Sequence, residues 1–350
     1  MQRFRSRLML GLVLLCLSTT SHAGLLDGLS TTIARLSAAL QASSAQMRTA
    51  FQESMAQIEA AFAQTFDTLA GRYLNPTAGT TSFEETIVSQ GIGRTSLYIR
   101  PQVDPQGLAP AVIFLHFGRG TPKAMANLVH AGDLAAKYGA WVILPTAENR
   151  RWNDDPAETG SIDDVGYLVK VIQAAVAQHP IDPKRIYIAG MSNGGFMTSR
   201  FACEHPELIA GAAQVVSSMH KSEAAVCAPK VAVPMTLILG TNDVLVRYNA
   251  KFGLLSGPET FARWQQINGC DPSGVLTEQI PDIARDGTTT TYQHNEVCSS
   301  GAAAQLYTVN DGGHTWPEGP DADSKLRIGR TSHDFSATEV IWDFFKDYSR

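Results

Sequence analysis

The chain has 350 residues, 44% of them hydrophobic and 17% charged, and a formal net charge of −5. That length allows one large α/β domain with a full core plus an appendage. The mild acidic excess leaves no electrostatic footprint for nucleic acid and no basic patch for anionic lipid.

The chain opens with Arg3, Arg5 and Arg7 ahead of the apolar run Leu8–Leu17, and then Ser21-His22-Ala23. This is the pattern of a secretory signal, too short for a membrane span, with cleavage expected after Ala23. Cys16 is a poor lipoprotein site, because Leu15 stands where a small residue is required. Removing residues 1–23 takes away three arginines and no acid, moving the formal charge from −5 to −8. No later stretch is apolar enough over 18 residues to cross a membrane.

Residues 24–75 differ in character. Leu29, Ile33, Leu36 and Leu40, then Met47, Phe51, Met55, Ile58, Phe62, Phe66 and Leu69, follow steps of three and four. Such spacing predicts helix with one apolar stripe. A single helix over 25–70 would reach about 65 Å, so a hairpin broken near Ala42-Ser43-Ser44 is expected. Its stripe suits packing on the body, homo-oligomerisation through residues 25–70, or adsorption to a polymer surface.

From residue 76 the pattern alternates. Strands are predicted at Ser96–Arg100, Ala111–Phe117, Trp141–Pro145, Arg185–Met191, Ala210–Val216, Met235–Gly240 and Ala304–Val309. Helices are predicted at Met125–Lys137, Ile162–His179, Phe196–Glu204, Glu259–Asn268 and Ser336–Asp347. Ser161 with Asp164 resembles a capping box for the second of these. Apolar strands alternating with helices imply a mostly parallel sheet covered on both faces, and an α/β-hydrolase architecture is the expected fold.

Gly190-Met191-Ser192-Asn193-Gly194 follows a strand and opens a helix, which is the context of a nucleophile elbow. A serine hydroxyl is a poor nucleophile until a base lies within hydrogen-bond reach. In this architecture an acid and then a histidine follow the serine along the chain. Asp243 follows the strand Met235–Gly240, and His314 follows a terminal strand in Asp311-Gly312-Gly313-His314. Ser192 is therefore expected to attack, His314 to shuttle the proton, and Asp243 to fix the imidazole tautomer. His333, Asp311 and Asp334 are the rivals. The oxyanion donors are expected in the backbone N–H of Asn193, at the positive end of its helix, and of Phe117 or Gly118. His116 reads as a buried structural histidine, and Trp152 and Trp316 as either cleft walls or core.

Beyond the leader, Cys203, Cys227, Cys270 and Cys298 form an even set in an exported chain, which reads as two disulfides with three possible pairings. Cys203–Cys227 and Cys270–Cys298 are favoured, since each pair brackets one crossover; each bridge would contribute about 3 kcal/mol in the chain-entropy model. No His-Glu-x-x-His, calcium loop or phosphate-cradling glycine loop is present, so neither a metal nor a cofactor is expected.

Gly190–Gly195, Ile181–Ile188, Ile162–Gly166, Trp264–Cys270, Leu306–Val309, Gly312–Pro317 and Ala337–Phe345 together resemble the secreted polyhydroxybutyrate depolymerase and feruloyl esterase group over residues 85–350. The resemblance implies an α/β-hydrolase fold, no cofactor, and hydrolysis through an acyl-enzyme. It supports Ser192, Asp243 and His314 in their roles, and both cysteine pairs. Two features depart from it: Phe117 stands where such proteins carry glycine, and residues 24–74 have no counterpart. The expected activity is ester hydrolysis on a polyester or its oligomers. Rival readings are feruloyl or acetyl ester hydrolysis on plant polysaccharide, amide hydrolysis, and a non-catalytic interaction protein acting through the N-terminal helices.

Overall fold

Branched apolar residues run almost unbroken through the middle strands, and such strands are stable only with both faces covered. In the computed structural model, which describes residues 73–350 apart from 104, 158–161, 251–252, 296–297 and 322–327, they form the centre of a ten-stranded sheet. In chain order the strands are β1 (Thr80–Ser89), β2 (Ile92–Pro101), β3 (Ala109–Leu115), β4 (Trp141–Pro145) and β5 (Ile181–Met191). They continue with β6 (Gly211–Val215), β7 (Met235–Gly240), β8 (Val275–Ile280), β9 (Thr289–Asn295) and β10 (Ala304–Asn310). The spatial order is β1-β2-β4-β3-β5-β6-β7-β10-β9-β8. The run from β4 to β10 is parallel, and antiparallel strands close both edges.

The helices are α1 (Pro122–Leu128), α2 (Ala131–Tyr138), α3 (Asp164–Gln178), α4 (Asn193–Glu204), α5 (Lys221–Val226), α6 (Gly257–Ile267) and α7 (Ala337–Phe345). This is the expected α/β-hydrolase arrangement. Trp141, Tyr167, Phe201 and Trp264, each at 2% exposure or less, anchor a continuous core.

The structure differs from the sequence expectation in several places. The helix predicted over Met125–Lys137 is broken into α1 and α2 at His130, which adopts the left-handed conformation. There the Thr338 hydroxyl donates to the Val129 carbonyl, 2.9 Å away, so a tertiary partner replaces the helical one. The cap of α3 is Asp163, whose carboxylate accepts from the Gly166 N–H. Asp164 is buried instead, paired with Arg94 and accepting from the Asn153 N–H at 2.7 Å. β1 and β8 are the edge strands and β9 lies next to β8; all three keep solvated faces, which removes the apolar signal that marks a buried strand. The leader and most of the 24–75 helical expectation lie outside the described residues; Tyr73, Leu74 and Asn75 are not helical.

Candidate active site

The serine loop is built by steric necessity. Ser192 sits between β5 and α4 at φ 54°, ψ −122°, a conformation costly for any residue with a Cβ. A Cβ on Gly190 would lie 2.2 Å from the Gly194 oxygen, and one on Gly194 would lie 2.2 Å from the Leu115 oxygen. Only glycine admits a turn this tight against the end of β3. Ser192 is half-buried, and its N–H donates to the Val215 carbonyl at 2.9 Å, tying the turn to β6.

β5, β6, β7 and β10 are successive parallel neighbours, so their carboxyl ends share one sheet edge. Asp243 follows β7 there and His314 follows β10. The Asp243 Oδ1 accepts from the N–H groups of Leu245 at 2.8 Å and Val246 at 2.9 Å. Oδ2 then faces His314 Nδ1 at 2.7 Å, and both side chains are 1% exposed. With Nδ1 donating to the carboxylate, Nε2 is the acceptor end of the ring. The histidine loop is clamped from both sides: His314 N–H donates to Ile328 O at 2.7 Å, and Asn242 N–H donates to Gly312 O at 2.9 Å. A Cβ on Gly240 would lie 2.4 Å from that same Gly312 oxygen, which is why β7 ends in glycine.

The rivals are occupied elsewhere. Asp334 caps a loop by accepting from the Ile283 and Ala284 N–H groups. His333 faces Asp321 at 3.0 Å, and Asp311 is an exposed turn residue at φ 57°.

His116 is a buried structural histidine. Its Nε2 accepts from the Ala147 N–H at 3.1 Å, so Nδ1 carries the proton and donates to Phe117 O at 2.8 Å. Phe117 and Gly118 are buried beside it. Trp152 and Trp316, read as cleft walls or core, both lie in the core at 1% exposure. The indole N–H of Trp152 donates to His116 O at 2.9 Å, and that of Trp316 to Thr338 Oγ1 at 3.2 Å. Neither indole is open to a substrate. Cys203–Cys227 and Cys270–Cys298 are disulfide-bonded.

Trp152-Asn153-Asp154-Asp155 reads as a second polar region in the sequence, but sequence reasoning missed that Asn193 and His220 join it at the same sheet edge. The Asn193 side chain accepts from Trp152 N–H at 2.8 Å and donates to Trp152 O at 3.0 Å and Asp154 Oδ1 at 2.7 Å. The other Asp154 oxygen faces His220 Nε2 at 2.9 Å. The one signal in the sequence was position: His220 lies just beyond the carboxyl end of β6. Near it, Glu223 accepts from Ser199 Oγ at 2.6 Å, and burial pushes its carboxyl up to about 8.

Residues 94–235, from β2 to the start of β7, match the family model described as Esterase PHB depolymerase. Over those residues the chain is similar to that family. The match includes Ser192 and stops short of Asp243 and His314. A stretch of 155 residues is 44% identical to poly(3-hydroxyalkanoate) depolymerase C of Paucimonas lemoignei, covering 37% of this chain and 37% of that protein. Feruloyl esterase B of Piromyces equi is 28% identical over 256 residues, covering 69% of this chain and 42% of that one. The chain thus spans less than half the length of these two relatives. The acetyl xylan esterase structure from Aspergillus awamori shares the fold, with a TM-score of 0.53 at 15% identity, over 76% of this chain and 99% of that one. Among the described residues no helix is long and apolar enough to cross a membrane.

Proposed function

We propose that the esterase domain works as a serine carboxylic ester hydrolase with Ser192, His314 and Asp243 as its triad. The observation that carries this reading is the buried Asp243–His314 pair, 2.7 Å apart, on the sheet edge where the strained turn presents Ser192. Ser192 Oγ attacks the carbonyl carbon as His314 Nε2 takes its proton. The oxyanion is held by the N–H of Asn193 and that of Phe117 or Gly118. The alcohol leaves with the proton from His314, and water, activated by the same nitrogen, releases the acid and restores Ser192. Asp243 keeps the ring in the productive tautomer and stabilises the imidazolium.

The substrate we assign is a polyester or its oligomers, on the strength of the 44% identity to a polyhydroxyalkanoate depolymerase. A feruloyl ester is the second reading, favoured by the longer alignment with feruloyl esterase B. Export after cleavage near Ala23 is consistent with two disulfides, since such bonds persist in oxidising compartments. Residues 24–75 are assigned to oligomerisation or polymer adsorption, and residues 76–350 to catalysis. Parallel turnover of hydroxybutyrate oligomers, a feruloyl ester, acetylated xylan and a peptide amide tests the assignment. Oligomer hydrolysis should dominate and vanish in Ser192→Ala; preference for the feruloyl ester overturns the polyester reading, and activity surviving in Ser192→Ala overturns the triad.

A further inference from the structure

The Asp154–His220 cluster is not used by the chemistry above, yet it reaches the residue next to Ser192. Asn193 supplies a proposed oxyanion donor through its backbone, while its side chain is held by Trp152 and Asp154 through three hydrogen bonds. Trp152 in turn donates from its indole to His116 O, immediately before Phe117. One short loop, residues 152–155, therefore braces both backbone segments proposed to hold the oxyanion. What braces the loop is His220. Its Nε2 lies 2.9 Å from Asp154 Oδ2 and its Nδ1 3.6 Å from Asp155 Oδ2, with the Phe196 ring 4.9 Å away. Asp155 is further fixed by the Ser222 hydroxyl at 2.7 Å.

We propose that the Asp154–His220 pair is a positioning device that holds the 152–155 loop, and through Asn193 the oxyanion donor, in its working place only while His220 carries a proton. An imidazolium offers a donor to each of two carboxylates, whereas the neutral ring can serve only one and leaves two acids facing each other. The titratable and charged groups around the ring are Asp154 and Asp155 on the loop, Glu223 on α5, mainly neutral below its raised value, and, acting on Asp155 and Glu223, Arg200 on α4. Burial works against the charged ring, but the hydrogen bond and charge of Asp154, with Asp155 and Glu223, outweigh it and raise the His220 pKa. The pairing is accordingly complete below the ordinary imidazole range and is lost as pH rises through the raised value. The device therefore sets an alkaline limit to catalysis, separate from the acid limit that a histidine base imposes.

This inference rests on the proposed role of Ser192, and the test separates the two. The kcat and KM of p-nitrophenyl butyrate hydrolysis would be measured against pH for wild type, His220→Gln and His220→Lys, with near-UV circular dichroism confirming each fold. Ser192 labelling by a fluorophosphonate would be followed by mass spectrometry. His220→Gln should lower plateau kcat about tenfold to hundredfold with KM changed less than about threefold, as for a displaced transition-state donor. It should also lose the alkaline limb, while His220→Lys, which keeps a cation, should restore kcat and move that limb upward. If His220→Gln fails to fold, the His220→Lys limb decides alone. An unmoved limb in folded His220→Lys, or wild-type kcat and limb in His220→Gln, overturns the proposal even when Ser192 is labelled. Failure to label wild-type Ser192 overturns the nucleophile assignment instead.

Discussion

Two histidine–aspartate pairs stand on one sheet edge and are built for different work. In His314–Asp243 one ring nitrogen faces one carboxylate, in a dry setting where both side chains are 1% exposed. In His220–Asp154 both ring nitrogens face carboxylates, with the two side chains 18% and 11% exposed. The first arrangement leaves Nε2 as an acceptor, the requirement for a general base. The second engages both nitrogens, so the ring serves as a cation that joins elements. The partner on the second nitrogen distinguishes a base from a clamp more sharply than the presence of an Asp–His contact.

Making the same change in both pairs is the strongest way to break this comparison. Asp243→Asn should lower kcat on a soluble ester by about 10⁴-fold through the wrong imidazole tautomer, with little change in fold. Asp154→Asn should cost only about tenfold to hundredfold, because it loosens a donor instead of disabling the base. Steady-state kinetics on both variants decides; equal losses would erase the distinction.

A steric change tests the frame that both pairs share. Gly194→Ala places a methyl 2.2 Å from the Leu115 oxygen, so β3 and the elbow must separate. We expect a loss of about 1–3 kcal/mol of stability by denaturant titration, together with loss of activity. An unchanged midpoint would show that the elbow relaxes at no cost.

The last test probes the surroundings of the clamp and leaves catalysis aside. Glu223, pushed up to about 8 by burial, binds its proton more tightly folded than unfolded. Unfolding free energy therefore falls as pH rises from the ordinary carboxyl range to about 8. Glu223→Gln removes that penalty while keeping an acceptor for Ser199. Its stability advantage should grow by up to about 1.4 kcal/mol per pH unit across that window. A constant difference between the two proteins in chemical denaturation would contradict the burial argument.

Much of the site was legible because its signals are local. The elbow needs glycine at 190 and 194 whatever surrounds it, and the buried parallel strands that carry Ser192, Asp243 and His314 show as mainly apolar stretches over Ile186–Met191, Met235–Gly240 and Ala304–Val309. β1, β8 and β9 were missed because strands at or next to the sheet edge keep solvated faces and carry many polar residues. Thr289–Asn295, for example, contains a single apolar side chain, Tyr292. The helix break at His130 was invisible because it depends on Thr338, over two hundred residues away.

The sequence by itself determined the turn at Ser192, the order of serine, acid and histidine, and the alternation that makes a parallel sheet, since each follows from backbone sterics or from burial of neighbouring residues. Only the tertiary structure decided which histidine keeps an acceptor nitrogen and which is enclosed by acids. It also decided that Trp152 and Trp316 are core, and that Asn193 is braced from a loop some forty residues earlier. Hydrogen-bond partners at that separation are set by how strands are ordered in space, and no pattern of neighbours along the chain encodes that order.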